Sequence, residues 1–407
     1  MPEAYIVATA RSPIGRAGKG SLVSLRGDDL AARMVRAALD KVPGLDPARI
    51  DDLLVGTGQP AGEQGFNIAR IMSVLLGLDG VPGTTVNRYC SSSLQTTRMA
   101  FHAIKAGEGE VFVSAGVEMV SRYPSGAADF SPGHAIENPL FADARAHSSS
   151  RAQADAPGWT DPRGAARLPD PYIAMGQTAE NVAQLRGVGR DEQDAYAARS
   201  QQRAEAAVAS GFWSRDVTPV TLADGTVVSA DDGPRPGVTA ESLRSLQPVF
   251  RPDGTVTAGN CCPLNDGAAA VVIVSDRIVD ELGLEPLARI VSTGVSGISP
   301  EIMGLGPVES SKRALALAGL DIDDIDLVEI NEAFAAQVIP SARDLGIDHE
   351  RLNVHGGAIA VGHPFGMTGA RITSTLINGL AETGGRYGLE TMCVGGCQGM
   401  AMVLERV

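Results

Sequence analysis

The chain contains one arrangement of helix, turn and strand twice, and this repeat constrains the fold more than any other sequence feature. Residues 37–56, AALDKVPGLDPARIDDLLVG, and residues 314–330, ALALAGLDIDDIDLVEI, share an Ala/Leu-rich helix, a Gly-Leu-Asp turn and a strand. In each half a strand and a turn precede this unit, and a turn, a helix and a strand follow it. Strands that alternate with helices at this spacing are typical of parallel β-α-β units. The sequence therefore predicts two similar α/β halves related by a pseudo-twofold axis.

A segment of different texture separates the two halves. Residues 122–170 are rich in Ala, Ser, Pro, Gly and Asp, which predicts an irregular loop. Two helical stretches follow, YIAMGQTAENVAQL and DEQDAYAARSQQRAEAAVASG, the second with Asp191 as its expected N-cap. The Asp-Gly pair of VTPVTLADGTVV then predicts a hairpin. We expect residues 122–250 to form an inserted loop domain; the alternative is a free linker.

Length and composition exclude several classes of protein. A chain of 407 residues predicts roughly two to three domains. The net charge of −14 argues against a nucleic-acid partner, because such a field repels phosphate. No apolar run approaches the ~20 residues of a membrane span. The first residues predict a strand rather than a secretory signal, and five cysteines with one vicinal pair do not suggest a disulfide framework. We therefore expect a cytoplasmic protein with no membrane partner.

The stretch VNRYCSSSLQ places Cys90 at the expected start of a helix. Apolar and small residues recur every three to four positions after it, at Leu94, Thr97 and Phe101. A thiol there faces unpaired backbone N–H groups and the positive end of the helix dipole, which predicts a lowered pKa for Cys90. The alternative is a small buried hydrophobe that precedes a helix. This stretch alone favours neither interpretation.

A second candidate group lies in the glycine-rich stretch NVHGGAIAVGHPFGMTGAR, residues 353–371. Glycine lets the backbone approach a ligand, and His363 within it is a candidate proton carrier. A buried structural histidine is the alternative. The spacing matches neither the P-loop nor the dinucleotide-binding fingerprint, so the stretch is not a phosphate loop.

Two more stretches place polar groups at the ends of strands. In ETMCVGGCQGMAMV, Cys393 ends a strand before a Gly-Gly turn, and in EINEAFAAQ, Asn331 lies between two acids. Six histidines and no C-x-x-C pair argue against a zinc site. Ligands of parallel α/β sheets gather at the carboxyl ends of strands. These residues, with Cys90 and His363, therefore indicate nucleophilic acyl chemistry with a separate acid/base.

Six stretches in the same order resemble the thiolase family over essentially the whole chain. They are NRYCSSSLQ, MGQTAENVA, TAGNCCPLNDGAAA, NEAFA, GGAIAVGHPFGMTGAR and CVGGCQGMA. NEAFA separates the chain from the related ketoacyl synthases, which have a histidine motif there. The resemblance implies two βαβ-based halves in a five-layer α-β-α-β-α arrangement with an inserted loop domain. It divides the chain into an N-terminal half (1–121 plus 251–272), a loop domain that covers coenzyme A (122–250) and a C-terminal half (273–407).

The resemblance also implies roles for the candidate residues. Cys90 would carry the acyl group as a thioester, and His363 would accept the Cys90 proton and polarise the thioester carbonyl. Cys393 would exchange a proton with the α-carbon of acetyl-CoA. Asn331, through a water, would join His363 in one oxyanion hole, and the backbone N–H groups of Cys90 and Gly395 would form the other.

For coenzyme A, the resemblance implies a substrate and not a permanently bound cofactor. The residues that would line its path share no single chemistry; they are Met175, Arg235, Ser242, Ala258, Met303 and Phe334. Arg235 has the clearest physical role, near phosphate, with a solvated surface residue as the equal alternative. No metal is expected. The family pattern also suggests a homodimer or homotetramer.

The chain departs from the family pattern at three positions beside these motifs. Ser93 stands where glycine is common, Cys262 where serine is common, and Cys397 where a third glycine is usual. Ser93 would add bulk near the nucleophile, and Cys262 would remove a hydroxyl contact to pantetheine. Cys397 is either inert or able to pair oxidatively with Cys393.

The expected function is cleavage of 3-ketoacyl-CoA by CoA, or the reverse condensation, in fatty-acid β-oxidation. One alternative is a short-chain acetoacetyl-CoA thiolase, although IAMGQT lacks the histidine that short-chain members often have before Met-Gly. A cysteine hydrolase that uses Cys90 and His363 is another, but it needs neither Cys393 nor an inserted domain. The last is a non-catalytic CoA or lipid carrier, which need not keep all four catalytic residues.

Overall fold

The structure, a computed structural model, describes residues 1–123 and 136–407. These ranges contain twelve strands and thirteen α-helices. The strands are β1 (Ala4–Arg11), β2 (Gly15–Arg16), β3 (Asp52–Gly56), β4 (Gly83–Val86), β5 (Val111–Met119), β6 (Val220–Thr221), β7 (Val227–Val228), β8 (Asn265–Ser275), β9 (Ala288–Gly297), β10 (Leu327–Ile330), β11 (Tyr387–Val394) and β12 (Gln398–Arg406). The helices are α1 (Gly27–Leu39), α2 (Ile68–Leu75), α3 (Ser92–Ala106), α4 (Ala142–Ser150), α5 (Met175–Arg186), α6 (Arg190–Ala209), α7 (Phe212–Asp216), α8 (Ala240–Arg244), α9 (Asp276–Leu282), α10 (Gly306–Ala318), α11 (Ala335–Leu345), α12 (Ala358–Val361) and α13 (Thr368–Thr383).

The long strands form two groups with the same topology, which confirms the predicted repeat. The first group has the order β4-β3-β5-β8-β1, and the second has the order β10-β11-β12-β9. In the first group, β8 pairs antiparallel with β1 and with β5. In the second group, β12 pairs antiparallel with β9 and with β11 in the same way. The remaining pairs are parallel, including a bridge from Val328 to Leu352 where the second group lacks a full edge strand. The two groups meet where β1 pairs with β9 at two positions.

Side chains point alternately to the two faces of the central strands, and this divides the apolar core into layers. In β8, Val271 and Ile273 face one cluster of apolar side chains, whereas Val272 and Val274 face another, as a strand with a two-residue period requires. The first cluster holds α3 and α13 between the two groups of strands. Helices α1 and α2 cover the outer face of the first group, and α10 and α11 cover that of the second. The result is the five-layer α-β-α-β-α arrangement that the sequence predicted.

The two central helices approach each other at their first turns. A Cβ on Gly369 would lie 2.3 Å from the backbone nitrogen of Leu94, so only glycine fits there. The hydroxyl of Ser93 accepts a 2.9 Å hydrogen bond from the N–H of Ala370. These contacts join the start of α3, just after Cys90, to the start of α13, just after His363.

The segment between the halves is more regular than the sequence indicated. Residues 122–170 were expected to be irregular, but α4 lies within them; residues 124–135 lie outside the described part. The predicted helices are α5 and α6, and the predicted hairpin is β6–β7. The N-cap prediction was wrong: α6 begins at Arg190 with Gly189 as its cap, and Asp191 lies in the first turn, where its charge suits the helix dipole. The domain boundaries proposed above stay a prediction.

None of the helices in the described ranges is long and apolar enough to span a membrane.

A buried ion cluster fastens α7 and the following loop to β1. The Arg11 side chain is fully buried; its Nε lies 2.6 Å from Asp216 and its Nη1 lies 2.7 Å from Asp231. Its guanidinium also lies 5.1 Å from the ring centre of Trp213. Removing any one member of this cluster should lower the stability of the fold, because the remaining charges would stay buried without a partner.

We predict that Arg11→Met lowers the free energy of unfolding by about 3–5 kcal/mol, because two buried carboxylates lose their cation. The control is Arg49→Met, whose pair with Glu281 is solvent-exposed and is expected to change stability by about 1 kcal/mol or less. Denaturant unfolding of the two variants measures the difference. Equal stabilities would contradict a structural role for the Arg11 cluster.

Candidate active site

Cys90 lies in a tight turn between β4 and α3. The hydroxyl of Ser92 accepts the N–H of Arg88 at 2.9 Å and donates to the carbonyl of Tyr89 at 2.6 Å, which closes the turn. Helix α3 begins at Ser92, so the prediction of a helix just after the cysteine is confirmed. The thiol is partly buried and faces the backbone N–H groups of Gly395 and of Cys90 itself.

The expected low pKa of Cys90 was wrong. Burial raises the pKa of the thiol to about 11; the N–H groups of Gly395 and Cys90 lower it, and the carboxylate of Glu118 raises it further. The backbone donors that the sequence analysis invoked are present, but burial outweighs them. The resting thiol is therefore protonated at neutral pH and needs a base to become a nucleophile.

His363, in the loop before α13, supplies a neutral imidazole. It is 1% exposed, and its backbone N–H donates to Asn265 Oδ1 at 2.9 Å. Burial, aided by the Arg371 guanidinium, lowers the pKa of His363 to about 3. Its Nδ1 lies 2.6 Å from Thr368 Oγ1, and that hydroxyl lies 2.8 Å from the carbonyl of Pro364. Because the single hydroxyl proton goes to the carbonyl, Nδ1 donates and Nε2 is left free to accept a proton.

Asn331 follows β10 and lies against that free nitrogen. Its Nδ2 is 3.3 Å from His363 Nε2, and its backbone N–H donates to the carbonyl of Thr391. The water expected between Asn331 and the substrate oxygen stays a prediction. The side chain itself reaches the imidazole, and its Oδ1 is buried with no partner among the described residues.

Cys393, the last residue but one of β11, is a fully buried second thiol. Its Sγ donates to Gln337 Oε1 at 3.2 Å. Burial raises the pKa of Cys393 well above its ordinary value, and Cys90 and Cys397 raise it further. That electrostatic influence shows that Cys90 and Cys393 share one region. The structure thus places Cys90 with Cys393, and Asn331 with His363.

Gly395 and Cys397 form the turn that follows Cys393. A Cβ on Gly395 would lie 2.8 Å from the ring of Tyr89, so glycine lets this backbone approach the Cys90 turn. Cys397 has φ +62°, in the left-handed region where glycine is preferred, which gives the physical reason for the usual third glycine. Its thiol donates to the carbonyl of Pro300, and burial raises its pKa.

The predicted coenzyme A residues fall into two groups. Met175, Met303 and Phe334 belong to one apolar cluster that also contains Cys393 and Cys262. The other three, Arg235, Ser242 and Ala258, are exposed. Ser242 forms a capping box with Thr239, the N-cap residue of α8. Within residues 1–123 and 136–407, no carboxylate pairs with the Arg235 guanidinium, whose pKa is lowered by burial and by nearby Arg16.

The Ser93 departure has a local explanation. Its hydroxyl accepts from Ala370 N–H, so the extra atoms face α13 rather than the nucleophile. Cys262 lies closer to the chemistry: burial raises its pKa well above the ordinary value, and Cys261, Cys90 and Cys393 add to the rise.

The sequence analysis missed three polar residues that support the site. Thr368 and Gln337 contact His363 and Cys393, and each lies in a quoted motif, several residues beyond the residue that drew attention. Glu118, at the end of β5, is fully buried and accepts from the N–H groups of Gly58 and Gly366 at 2.7 and 2.8 Å. A lone acid at a strand end gives no sequence signal for this role.

Within the described ranges, no cluster of three or more His, Cys, Asp or Glu residues could hold a metal ion. The site therefore offers thiols, an imidazole, an amide and backbone N–H groups.

Comparisons with known proteins agree with this site. Models of the thiolase N-terminal and C-terminal domains match residues 4–277 and 284–406. The chain is 43% identical to the 3-ketoacyl-CoA thiolase of Bacillus subtilis (strain 168) over 418 residues, with 100% of both chains covered. It is 44% identical to the 3-oxoadipyl-CoA/3-oxo-5,6-dehydrosuberyl-CoA thiolase of Escherichia coli (strain K12) over 425 residues, again with 100% of both covered. The crystal structure of human mitochondrial 3-ketoacyl-CoA thiolase in complex with CoA superposes with a TM-score of 0.84 at 35% identity, covering 100% of this chain and 98% of that one.

The two matching domain models and the full-length match to thiolases show that the chain is an acyltransferase. The chain belongs to the thiolase family.

The raised pKa of Cys90 predicts how its alkylation depends on pH. Because only the thiolate reacts, the rate constant for iodoacetamide should rise steadily between about pH 7 and about pH 9 without a plateau. Mass spectrometry of the Cys90 peptide measures the rate, with Cys90→Ser as the control for other thiols. A plateau below about pH 8 would show that a thiolate already exists at neutral pH.

We predict that Thr368→Val lowers thiolase turnover about tenfold, because the Nδ1 proton loses its acceptor and the imidazole loses its fixed tautomer. Thr368→Ser keeps the hydroxyl and should restore turnover to within about threefold of the unmodified protein. Turnover is followed by the loss of ketoacyl absorbance. If serine restores nothing, the effect arises from packing of the Thr368 methyl group and the tautomer argument is wrong.

Proposed function

We propose that this chain cleaves 3-ketoacyl-CoA with CoA, giving acetyl-CoA and a shortened acyl-CoA, or runs the reverse condensation. The observation that carries the proposal is a protonated Cys90 in the same region as a second buried thiol, Cys393, together with a neutral His363 whose unprotonated Nε2 faces Asn331. One group takes the proton of the sulfur nucleophile, and a separate acid protonates the carbon that leaves. A carbon–carbon cleavage followed by acyl transfer requires both.

In the first half-reaction, His363 Nε2 takes the Cys90 proton and the sulfur attacks the 3-keto carbon. The backbone N–H groups of Cys90 and Gly395 stabilise the resulting oxyanion; such a donor contributes about 2.7–4 kcal/mol. The bond between C2 and C3 then breaks, and its electron pair stays on C2 as an enolate. The His363 imidazolium and Asn331 stabilise the enolate oxygen, and Cys393 gives its thiol proton to C2. Acetyl-CoA leaves, the acyl group remains on Cys90, and the imidazolium proton returns to the Cys393 sulfur through water.

In the second half-reaction, His363 takes the proton of the incoming CoA thiol. The CoA sulfur attacks the acyl-Cys90 thioester, and the same two backbone N–H groups stabilise the second oxyanion. Cys90 leaves and recovers its proton from His363. His363 therefore handles the protons of sulfur, and Cys393 handles the proton of carbon.

The apolar cluster beside Cys393 supports an acyl-CoA substrate. Met175 and Phe334 come from the loop segment and the C-terminal half, and they could cover pantetheine and an apolar acyl chain. We assign Arg235, Ser242 and Ala258 to the outer, solvated part of the CoA path, where Arg235, which pairs with no carboxylate in the described part of the chain, offers a cation to phosphate. No permanently bound cofactor is required, because CoA is itself the substrate.

A second candidate substrate is a 3-oxoacyl-CoA that ends in a carboxylate, such as β-ketoadipyl-CoA. The observation in its favour is the 44% identity to the Escherichia coli 3-oxoadipyl-CoA thiolase over the full chain. A role in fatty-acid β-oxidation and a role in the degradation of aromatic compounds are thus both open to the same site.

We also propose the division into an N-terminal half, a CoA-covering loop domain and a C-terminal half, and a cytoplasmic location. A homodimer or homotetramer is supported by strand β4, which ends one group of strands, and by exposed aromatic side chains near it: Phe66 is 94% and Tyr89 48% exposed.

The test compares acetoacetyl-CoA, a long-chain 3-ketoacyl-CoA and β-ketoadipyl-CoA, each with free CoA. We expect cleavage of at least one longer substrate and its loss, by about a hundredfold or more, in both Cys90→Ser and Cys393→Ser. The loss of ketoacyl absorbance measures the rates.

Each alternative has its own result in this experiment. Cleavage of acetoacetyl-CoA alone would indicate a short-chain enzyme. Release of free acid without acyl-CoA would indicate a hydrolase, and CoA binding without any cleavage would indicate a carrier.

A further inference from the structure

Gln337 holds the thiol that is assigned to carbon chemistry. It lies in the first turn of α11, is 0% exposed, and its Oε1 accepts the Cys393 S–H at 3.2 Å. The other end of the same amide, Nε2, is buried with no hydrogen-bond partner among the described residues. A buried amide N–H without a partner is unfavourable, so its retention needs a reason.

The side chain of Gln337 packs against the backbone of a glycine, Gly304. A Cβ on Gly304 would lie 2.3 Å from Gln337 Cβ, so the Gln337 stem packs directly against backbone. The hydroxyl of Ser341 donates to the carbonyl of Gly304 at 2.9 Å, which fixes that backbone. The stem is therefore held in place, while rotation about the last torsion exchanges the amide oxygen and nitrogen without moving the stem.

Cys393 needs opposite partners at different moments. Its surroundings are apolar, including Ala333, Phe334 and Met303, and within the described residues Gln337 supplies its side-chain hydrogen bond. As a thiol it requires an acceptor. Once its proton has gone to C2 of the departing acetyl-CoA enolate, the sulfur keeps the S–H electron pair and requires a donor.

We propose that Gln337 is a positioning residue that serves both protonation states of Cys393, an inference that rests on the proposed function. In the resting site, Oε1 accepts the S–H and aims the proton. After proton transfer the amide turns over, and Nε2–H donates to the thiolate. In the reverse direction the C2–H bond breaks, the S–H bond forms, and the amide returns. A side chain with only a donor or only an acceptor serves one state.

The two half-reactions separate this role from a general effect on structure. Exchange of the acetyl group between acetyl-CoA and isotopically labelled CoA uses Cys90 and His363. Exchange of the acetyl methyl protons of acetyl-CoA with D2O uses Cys393. Both are measured by mass spectrometry on the same full-length protein.

For Gln337→Met, which keeps the volume and removes both polar ends, we expect methyl-proton exchange to fall about 10- to 100-fold, the loss typical of a hydrogen bond to a charged group. Acetyl exchange should stay within about threefold. The control is Gln193→Met: Gln193 is also fully buried, but its amide donates to Val188 and Thr255. Both exchanges should stay within about threefold in this control.

Several outcomes would overturn the inference. Methyl-proton exchange within about threefold in Gln337→Met would show that Cys393 does not depend on the amide. An equal fall in both exchange rates in Gln337→Met, with a lowered melting temperature, would show a packing effect. In that case Gln337→Asn, which keeps the amide but shortens the side chain, would also lower both exchange rates equally. If the unmodified protein performs neither exchange and no cleavage, the proposed function itself fails, and this inference fails with it.

Discussion

The contact between the first turns of α3 and α13 is the constraint on which the site depends. Gly369 lets the backbone of Leu94 approach, and the N–H of Ala370 is bonded to Ser93. Because Cys90 precedes α3 and His363 precedes α13, this contact brings the proposed nucleophile of one half towards the proposed base of the other. Each half supplies one of the two, so neither half contains the site alone.

Burial keeps the two thiols and the imidazole of the resting site uncharged. It raises the pKa of both thiols and lowers that of His363, so the three groups are neutral together. Charge then arises only as protons move during the reaction, where oriented N–H groups are already in place. The buried carboxylate of Glu118 opposes a resting thiolate at Cys90 and at the same time ties β5 to the loop before α13. The same side chain thus serves structure and electrostatics.

Much of this fold and site could be predicted from the sequence. The repeat predicted two halves of equal topology, and the motifs predicted which residues converge, because strand ends and helix starts are local patterns. The pKa of Cys90 could not be predicted, since it depends on burial of the Cys90 turn against β11, which is distant in the chain. Gln337 and Glu118 were missed for the same reason, because each acts through a contact with a residue that is distant in the chain. Thr368 lies only five residues after His363, but a threonine at that spacing carries no recognisable signal. Helix α4 was missed because its composition is that of a loop.

The most direct test of the account is to find where the acyl group resides. The full-length protein is mixed briefly with acetyl-CoA, quenched in acid, digested, and the mass of each cysteine peptide is determined, alongside His363→Ala. The account predicts one acetyl group on the Cys90 peptide, formed much more slowly in His363→Ala. An acetyl group on the Cys393 or Cys262 peptide, or equal rates in the two proteins, would contradict it.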